Sequence, residues 1–500
     1  MRTVPRGAIL ATVAFGVFVA ADDLTVVATT LRDIVGDLAI PLPEGLDDAA
    51  WIVNGYLVAY VAVMPLMGRL ADVVGRRRTF VGALAVFGLG SLALPHATSL
   101  GWFTVGRVVT AIGGAAMIPV ALAVTADLYE GRERTRALGL LGALDVLGWV
   151  WGPLFGALLV RFLDWRWQFH LNVPLAVAGI AAAWWTMRDL DHADSRRRLD
   201  LPGALLLSGG LVAVTLALLD SADISVAEGL EDLTGSGGLP VLPLFAGGAV
   251  LLAAFTVVEV RRPDPLVDLA SLRDRRYAGA LVTTLLVGGA LVVAMVDVPL
   301  FVNLVLEDGV EAAAVRSGWI LSALTLAMAV GTLVGGTVGA QWGARPTVVA
   351  GTLVAGGGFL LMALTWDPGV ATPAMATHLA VLGFGLGSVT APLHDRAVSA
   401  VGPRRRGMAG SMVVLARLTG LTLGLAGLTA WALQRFEALR QTITLPPITD
   451  PGYEAAARTA QATISADALA ATFGAAAIVC ALAALVAGVL LGSEVADRDR

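Results

Sequence analysis

Long apolar runs separated by short charged clusters recur from one end of the chain to the other. They fall near residues 8–31, 50–68, 79–97, 100–126, 137–160, 170–187, 201–219, 240–258, 278–304, 317–341, 346–365, 373–393, 408–434 and 468–491. Most of them are close to the ~20 residues a helix needs to cross roughly 30 Å of hydrocarbon, so the pattern predicts fourteen transmembrane helices. The first run follows Arg2 and Arg6 in the manner of a secretory leader. Its apolar pattern resumes through Leu31 and many spans follow, which favours a retained first helix over a cleaved one.

The polar breaks set an orientation. With the amino terminus inside, 25 of the 34 basic residues fall in cytoplasmic segments, seven fall outside, and two, Arg107 and Arg417, lie within spans. Basic residues in short loops are held on the cytoplasmic side, so both termini are expected there. Two external segments are long. Asp220 to Leu239 is acidic and Gly-rich and reads as a flexible solvated connection. Residues 434–467 carry LPPITDP and then an alanine-rich stretch that favours a helix running outward from the last span, either a docking surface or an ordered loop.

Composition agrees with a bilayer as solvent: 57% of residues are hydrophobic, 15% are charged and mean hydropathy is +0.79. Soluble chains carry about 25% charged residues. A net charge of −5 gives no reason to expect a nucleic-acid partner. Every basic residue is Arg, which reads as genome composition or heat adaptation. The single cysteine, Cys480, lies in the last apolar run and implies packing, with no disulfide and no thiolate metal site. The chain has no nucleophile elbow, no phosphate-cradling loop and no metal-ligand spacing, and Gly383-Phe-Gly385-Leu-Gly387 is a helix-packing run. No enzyme activity, metal or cofactor is expected.

The two halves repeat. Gly68-Arg-Leu-Ala-Asp72-Val-Val-Gly75-Arg76 reappears as Gly336-Thr-Val-Gly-Ala340-Gln-Trp-Gly343-Ala344, with the acid lost from the second copy. Asp145-Val-Leu-Gly148-Trp-Val-Trp-Gly152 aligns with Arg417-Leu-Thr-Gly420-Leu-Thr-Leu-Gly424, so opposite charges occupy equivalent points. Duplicated bundles place their sites near the bilayer midplane, between the repeats. The predicted organisation is an all-α membrane protein: a first six-helix bundle (1–190), a linker with two extra helices (191–275) and a second six-helix bundle (276–500) that includes the 434–467 extension.

A charge at mid-bilayer costs at least about 2.5–3.5 kcal/mol, so Asp22, Asp23, Arg107, Asp145, Asp297 and Arg417 should face protein or water. Asp23 is the expected proton carrier, with Arg417, shared with Asp145, as the counter-ion that changes partners; static ion pairs holding the halves together are the rival reading. Asp22 reads as a neighbour, since adjacent helical residues point about 100° apart. Asp297, in the ninth run, is a candidate counterpart of Asp23 in the second half and a candidate substrate-binding residue. Trp149, Trp151, Phe155 and Trp319 line a cavity for apolar cargo or simply anchor and pack. His378 and His394 titrate near neutral pH unless structural.

The segment from Gly68 to Arg78 resembles the loop signature of the major facilitator superfamily. The glycines permit a tight turn, and Asp72 can accept from a helix N-terminus or pair with an arginine. The resemblance implies a conformational gate at Gly68, Asp72, Gly75 and Arg76. Asp23-Leu24-Thr25, Arg107 with Gly113-Gly114, and Gly148-x-x-x-Gly152-Pro153-x-x-Gly156 are similar to motifs of the fourteen-span drug:proton antiporter branch. The last implies a rocking interface, and the sequence departs from the family at Ala157.

WIVNGYLVAYVAVMPLMGRLAD, VDVPLF and ARLTGLTLGLAGLTAW further resemble the mycobacterial members that work beside a lipid-carrying lipoprotein and are implicated in triacylglyceride export. This resemblance implies a monomeric, proton-coupled exporter of drugs or lipids in a bacterial cytoplasmic (inner) membrane, working by alternating access, with a periplasmic lipoprotein as partner. The competing readings are a non-transporting scaffold that recruits a lipoprotein or lipid-synthesis enzyme, and an uncoupled lipid facilitator.

Overall fold

The computed structural model describes residues 4–40, 46–190, 199–227, 241–262, 264–307, 310–441 and 453–492. Among these, every long element is a helix: α1 (Arg6–Asp37), α2 (Leu46–Val74), α3 (Arg76–Ala93), α4 (Leu100–Leu128), α5 (Gly131–Phe162), α6 (Arg166–Thr186), α7 (Leu201–Ala227), α8 (Val241–Val260), α9 (Arg275–Phe301), α10 (Val310–Trp342), α11 (Ala344–Thr365), α12 (Thr372–Ser399), α13 (Arg406–Arg440) and α14 (Tyr453–Leu490). Helices α1 to α6 pack into one bundle and α9 to α14 into another, while α7 and α8 form a hairpin that leans on α2 and α13. Leu205, Leu242, Trp185, Trp319 and Leu364 stay exposed, as a lipid-facing wall requires.

Thirteen of the described helices are long and apolar enough to cross a membrane. The exception is α6, the sixth predicted span, whose first two turns hold Arg166, Gln168, His170 and Asn172. A second difference concerns the segment after the seventh span. The expected flexible loop from Asp220 starts later than predicted, because α7 continues to Ala227; Gly229 is the first helix breaker in that stretch. The rest of that loop lies outside the described residues, as do 442–452 of the 434–467 segment. Beyond them, α14 is one uninterrupted helix of 38 residues and α13 has 35. At 1.5 Å per residue these are roughly 50–57 Å long, well beyond the roughly 30 Å hydrocarbon core.

The repeat is visible in the backbone. Gly75 (φ +106°) and Gly343 (φ +94°) each turn the chain sharply between paired helices, in a conformation that side chains rarely adopt. The helix crossings repeat too. Gly148, Gly152 and Gly156 seat α5 on the backbone of Phe18, Asp22 and Val26 in α1. Gly420 and Gly424 seat α13 on Leu285 and Gly289 in α9. Gly148, Gly152, Pro153 and Gly156 therefore shape the inside of the first bundle. The crossings between bundles use other glycines, Gly139 of α5 against Gly336 of α10 and Gly68 of α2 against Gly407 and Ser411 of α13. Small residues at such crossings let backbones touch where lipid supplies no hydrophobic drive.

Gly420→Leu should overpack the α9–α13 crossing and lower stability by about 1–3 kcal/mol. Gly427→Leu, at a position with open space around it, should leave the melting temperature unchanged. Fluorescence-monitored unfolding of both variants in detergent checks the contrast.

Candidate functional site

The first cluster of buried polar groups sits inside the α1–α6 bundle. Asp23 is fully buried and accepts from Arg107 Nη1 at 2.9 Å and from Asn172 Nδ2 at 2.9 Å. Arg107, 1% exposed, also donates to the Asp23 carbonyl at 3.3 Å, and its guanidinium lies 4.1 Å from the Tyr56 ring centroid. Among the described residues Asp22 has no cationic partner; Gln168 Nε2 donates to its Oδ2 at 2.9 Å. Asn172 reaches Ser91 Oγ at 3.4 Å. Gln168 and Asn172 are one turn apart on α6, and each donates to one of the two acids of α1. Sequence reasoning passed over them, although α6 carries a signal: polar residues four apart on a span too polar for lipid.

The second cluster joins the bundles. Arg417 Nη1 of α13 donates to Asp145 Oδ2 of α5 at 3.0 Å, and its guanidinium stands 5.4 Å from the Trp149 ring centroid. In this conformation Arg107, rather than Arg417, holds Asp23. The reason is topological: α4 and α6 surround α1, whereas Arg417 comes from the other bundle and meets its own repeat partner. A cavity opens beside this pair, lined by Asp145, Trp149 and Arg417 and otherwise by Val146, Leu291, Met295, Leu324, Thr325 and Met328. Of the other predicted aromatics, Trp151 stacks on Phe155 with centroids 5.8 Å apart and is 44% exposed, outside this lining, and Trp319 is exposed on α10.

Asp297 is buried on α9, where Thr472 of α14 donates to its Oδ2 at 2.8 Å. His378 accepts from the indole of Trp366 at 3.2 Å, and His394 is buried on α12. Cys480 packs, buried, against Gly356.

The third cluster closes the arginine-rich end. Asp72 Oδ1 and Oδ2 accept from the backbone N–H groups of Gly407 (3.0 Å) and Met408 (2.9 Å), the free first-turn donors of α13. Arg76 pairs with the same carboxylate and reaches Asp127 of α4 at 3.3 Å. Arg406 of α13 also donates to Asp127, at 2.8 Å. Asp395 of α12 is paired with Arg134 of α5 and accepts from Thr135 at 3.0 Å. Asp127 and Asp395 stand at the same offset as Gly68 and Gly336, and Arg134 and Arg406 at that of Asp145 and Arg417. These ion pairs are thus two copies of one contact, which a search for buried charge passes over because they lie at helix ends. At the opposite face, hydrogen bonds from Trp165 Nε1 (2.9 Å) and Arg166 hold the Asp37 carboxyl below the usual carboxylate range.

Fold and site together define a duplicated, two-bundle membrane transporter. The chain belongs to the Major Facilitator Superfamily, whose family model matches residues 13–425. It is 35% identical over 459 residues to a triacylglyceride transporter of Mycolicibacterium hassiacum, covering 89% of this chain and 83% of that protein. It is 34% identical over 496 residues to the triacylglyceride transporter of Mycolicibacterium smegmatis, covering 96% and 86%. The fold is shared with a human organic anion transporter (TM-score 0.60, 14% identity, 95% and 99% covered). It is shared equally with a proton:xylose symporter bound to 6-bromo-6-deoxy-D-glucose (TM-score 0.60, 12% identity, 98% and 96% covered).

Asp72→Ala removes a charged acceptor from two backbone donors and from Arg76. Hydrogen bonds to charged groups are worth about 1.5–3 kcal/mol, so the closed arginine-rich end should lose roughly ten- to a hundredfold in population. Spin labels at Arg132 and Gly402, both exposed at that end and on opposite bundles, report the shift as a longer distance; Cys480 is buried and should not label.

Proposed function

We propose that the protein is a proton-coupled exporter that carries hydrophobic or lipidic molecules, triacylglyceride-like lipids foremost, across a bacterial cytoplasmic membrane by alternating access. The arginine bias supports a cytoplasmic location for the Asp72 end and both termini. On that orientation the cytoplasmic end is latched and the cavity above Asp145 and Arg417 belongs to the outward-facing half. The lining suits acyl chains chemically, with Leu291, Met295, Leu324 and Met328 as apolar surface beside the Asp145–Arg417 pair and Thr325, and the cavity, about 30 Å³ in this conformation, must widen as the bundles part to admit one. The names of the mycobacterial relatives support the same substrate class.

The observation that carries the reading is the pair of buried salt bridges, Asp23–Arg107 inside one bundle and Asp145–Arg417 between bundles. A proton arriving on Asp23 from outside neutralises it, releases Arg107 from its charge partner and removes the reason for α4 and α6 to hold α1 in this arrangement. Asp22 and its Gln168 partner sit one residue away and share that polar pocket. Arg417 leaves Asp145 as the bundles rock, and the Asp72, Asp127 and Asp395 contacts part together. No cofactor enters; the proton gradient supplies the work. The outward projections of α13 and α14 are the surface on which a periplasmic lipid-carrying lipoprotein would receive cargo from a single transporter chain.

In vesicles reconstituted with the protein alone, a pH gradient should drive flux of a fluorescent triacylglyceride analogue. Asp23→Asn should reduce that flux to background while the protein still purifies as a folded monomer. Flux indifferent to the gradient would make the protein an uncoupled facilitator, and no flux in the native protein would leave the scaffold reading standing.

A further inference from the structure

The α7–α8 hairpin lies outside these clusters, yet its foot buries two acids. Asp200, at the entrance to α7, is 3% exposed; its Oδ1 accepts from Gly203 N at 2.9 Å and pairs with Arg262 at 3.1 Å. Glu259, in the last turn of α8, is 2% exposed, and its Oε1 accepts from Val267 N at 2.6 Å. The remaining oxygens, Asp200 Oδ2 and Glu259 Oε2, are buried without a hydrogen-bond partner. They converge on one point: a Cβ placed on Gly203 would lie 2.6 Å from the first and 2.9 Å from the second.

Among the described residues, the charges facing Glu259 are Asp200 and Arg262, so there two carboxyls share one cation. Two described arginines near the hairpin foot are engaged elsewhere: Arg69 of α2 by Asp264 at 2.6 Å, and Arg405, which leads into α13, by Asp268. Two ionised carboxylates whose unpartnered oxygens both lie within 3 Å of one buried point repel each other with no solvent to screen them. One proton between them removes the excess charge and satisfies both oxygens at once, as O–H donor and acceptor.

We propose that Asp200 and Glu259 share a proton, and that this proton fastens the 264–268 segment across the gate. That segment is a strap between the bundles. Asp264 grips Arg69 beside Gly68 in the first half, and Asp268 grips Arg405 in the second. Between them Leu266 and Val267 are buried against Met408, the residue whose N–H is bound by Asp72, and against Leu66 and Met412. Glu259 holds the strap through Val267. When the proton leaves to bulk water, Glu259 gains a full charge beside Asp200, the two separate, and the Val267 contact goes with them. Low pH on the arginine-rich side keeps that end shut and high pH loosens it. The strap's effect rests on reading the Asp72–Met408 contact as a gate; the shared proton does not.

Two measurements on the full-length protein in lipid nanodiscs separate these parts. Infrared difference spectra between acid and alkaline pH should contain a protonated-carboxyl C=O band that is lost in Glu259→Gln and in Asp200→Asn but kept in Asp23→Asn. Absence of any band removed by the first two variants would mean that the pair is ionised, bridged by water or a cation, and would overturn the shared proton. The Arg132–Gly402 label distance should lengthen with rising pH in the native protein. In Glu259→Gln, whose amide can donate to Asp200 while its carbonyl still accepts from Val267, it should stay at the closed value across the same range. A native distance that ignores pH while the band is present would overturn the strap's control of the gate.

Discussion

A charge immersed in hydrocarbon needs a partner, and the architecture of this protein follows from how each one is supplied. Asp23 takes Arg107 and Asn172, Asp145 takes Arg417, and Asp72 takes Arg76 together with two backbone N–H groups. Each solution draws in a different helix: α4 and α6 close on α1, α5 on α13, and α2 on the first turn of α13. Removing one member of such a pair leaves an uncompensated charge worth about 3–5 kcal/mol, whereas moving both together costs far less. The cheapest motions are therefore those in which whole bundles shift and ion pairs exchange or dissolve as sets.

Duplication supplies the sets. The glycine crossings α1–α5 and α9–α13 are equivalent, as are the interbundle crossings α2–α13 and α10–α5, and the Asp127–Arg406 and Asp395–Arg134 bridges are copies of one contact. Departures from the repeat make the two halves unequal at their interface. Ala340 stands where the first copy has Asp72, so only one corner of the interface carries the backbone clamp. At the centre, equivalent positions hold an acid and an arginine, which lets the two halves bind each other through a single pair beside the cavity. The linker hairpin has no counterpart in the repeat, and it fastens to both halves at the clamped corner.

Much of this was legible in the sequence because it depends on spacing along one helix. The apolar runs located the fourteen long helices of the described residues, thirteen of them apolar enough to cross a membrane, and the glycine pairs flanking Asp72 and Ala340 fall at two turns with positive φ. Alignment of Asp145 with Arg417 singled out two residues that prove to touch. What stayed hidden depends on which helices become neighbours. Asp23 and Arg417 lie on helices that different partners surround, so the mate of Asp23 could not be chosen without the fold. Gln168 and Asn172 look like polar blemishes on α6 until α1 is placed beside them. Asp127 and Asp395 pass for ordinary helix-end charges, and the strap at 264–268 reads as a loop.

Movement of the bundles by exchange of buried ion pairs as sets is decided by a structure of the protein with its arginine-rich end open. In that state Arg417 should have left Asp145, with the bonds from Asp72, Asp127 and Asp395 across the interface broken and the glycine crossings inside each bundle preserved. An open structure in which Arg417 still lies within hydrogen-bonding distance of Asp145 and the three interfacial acids keep their partners would contradict it.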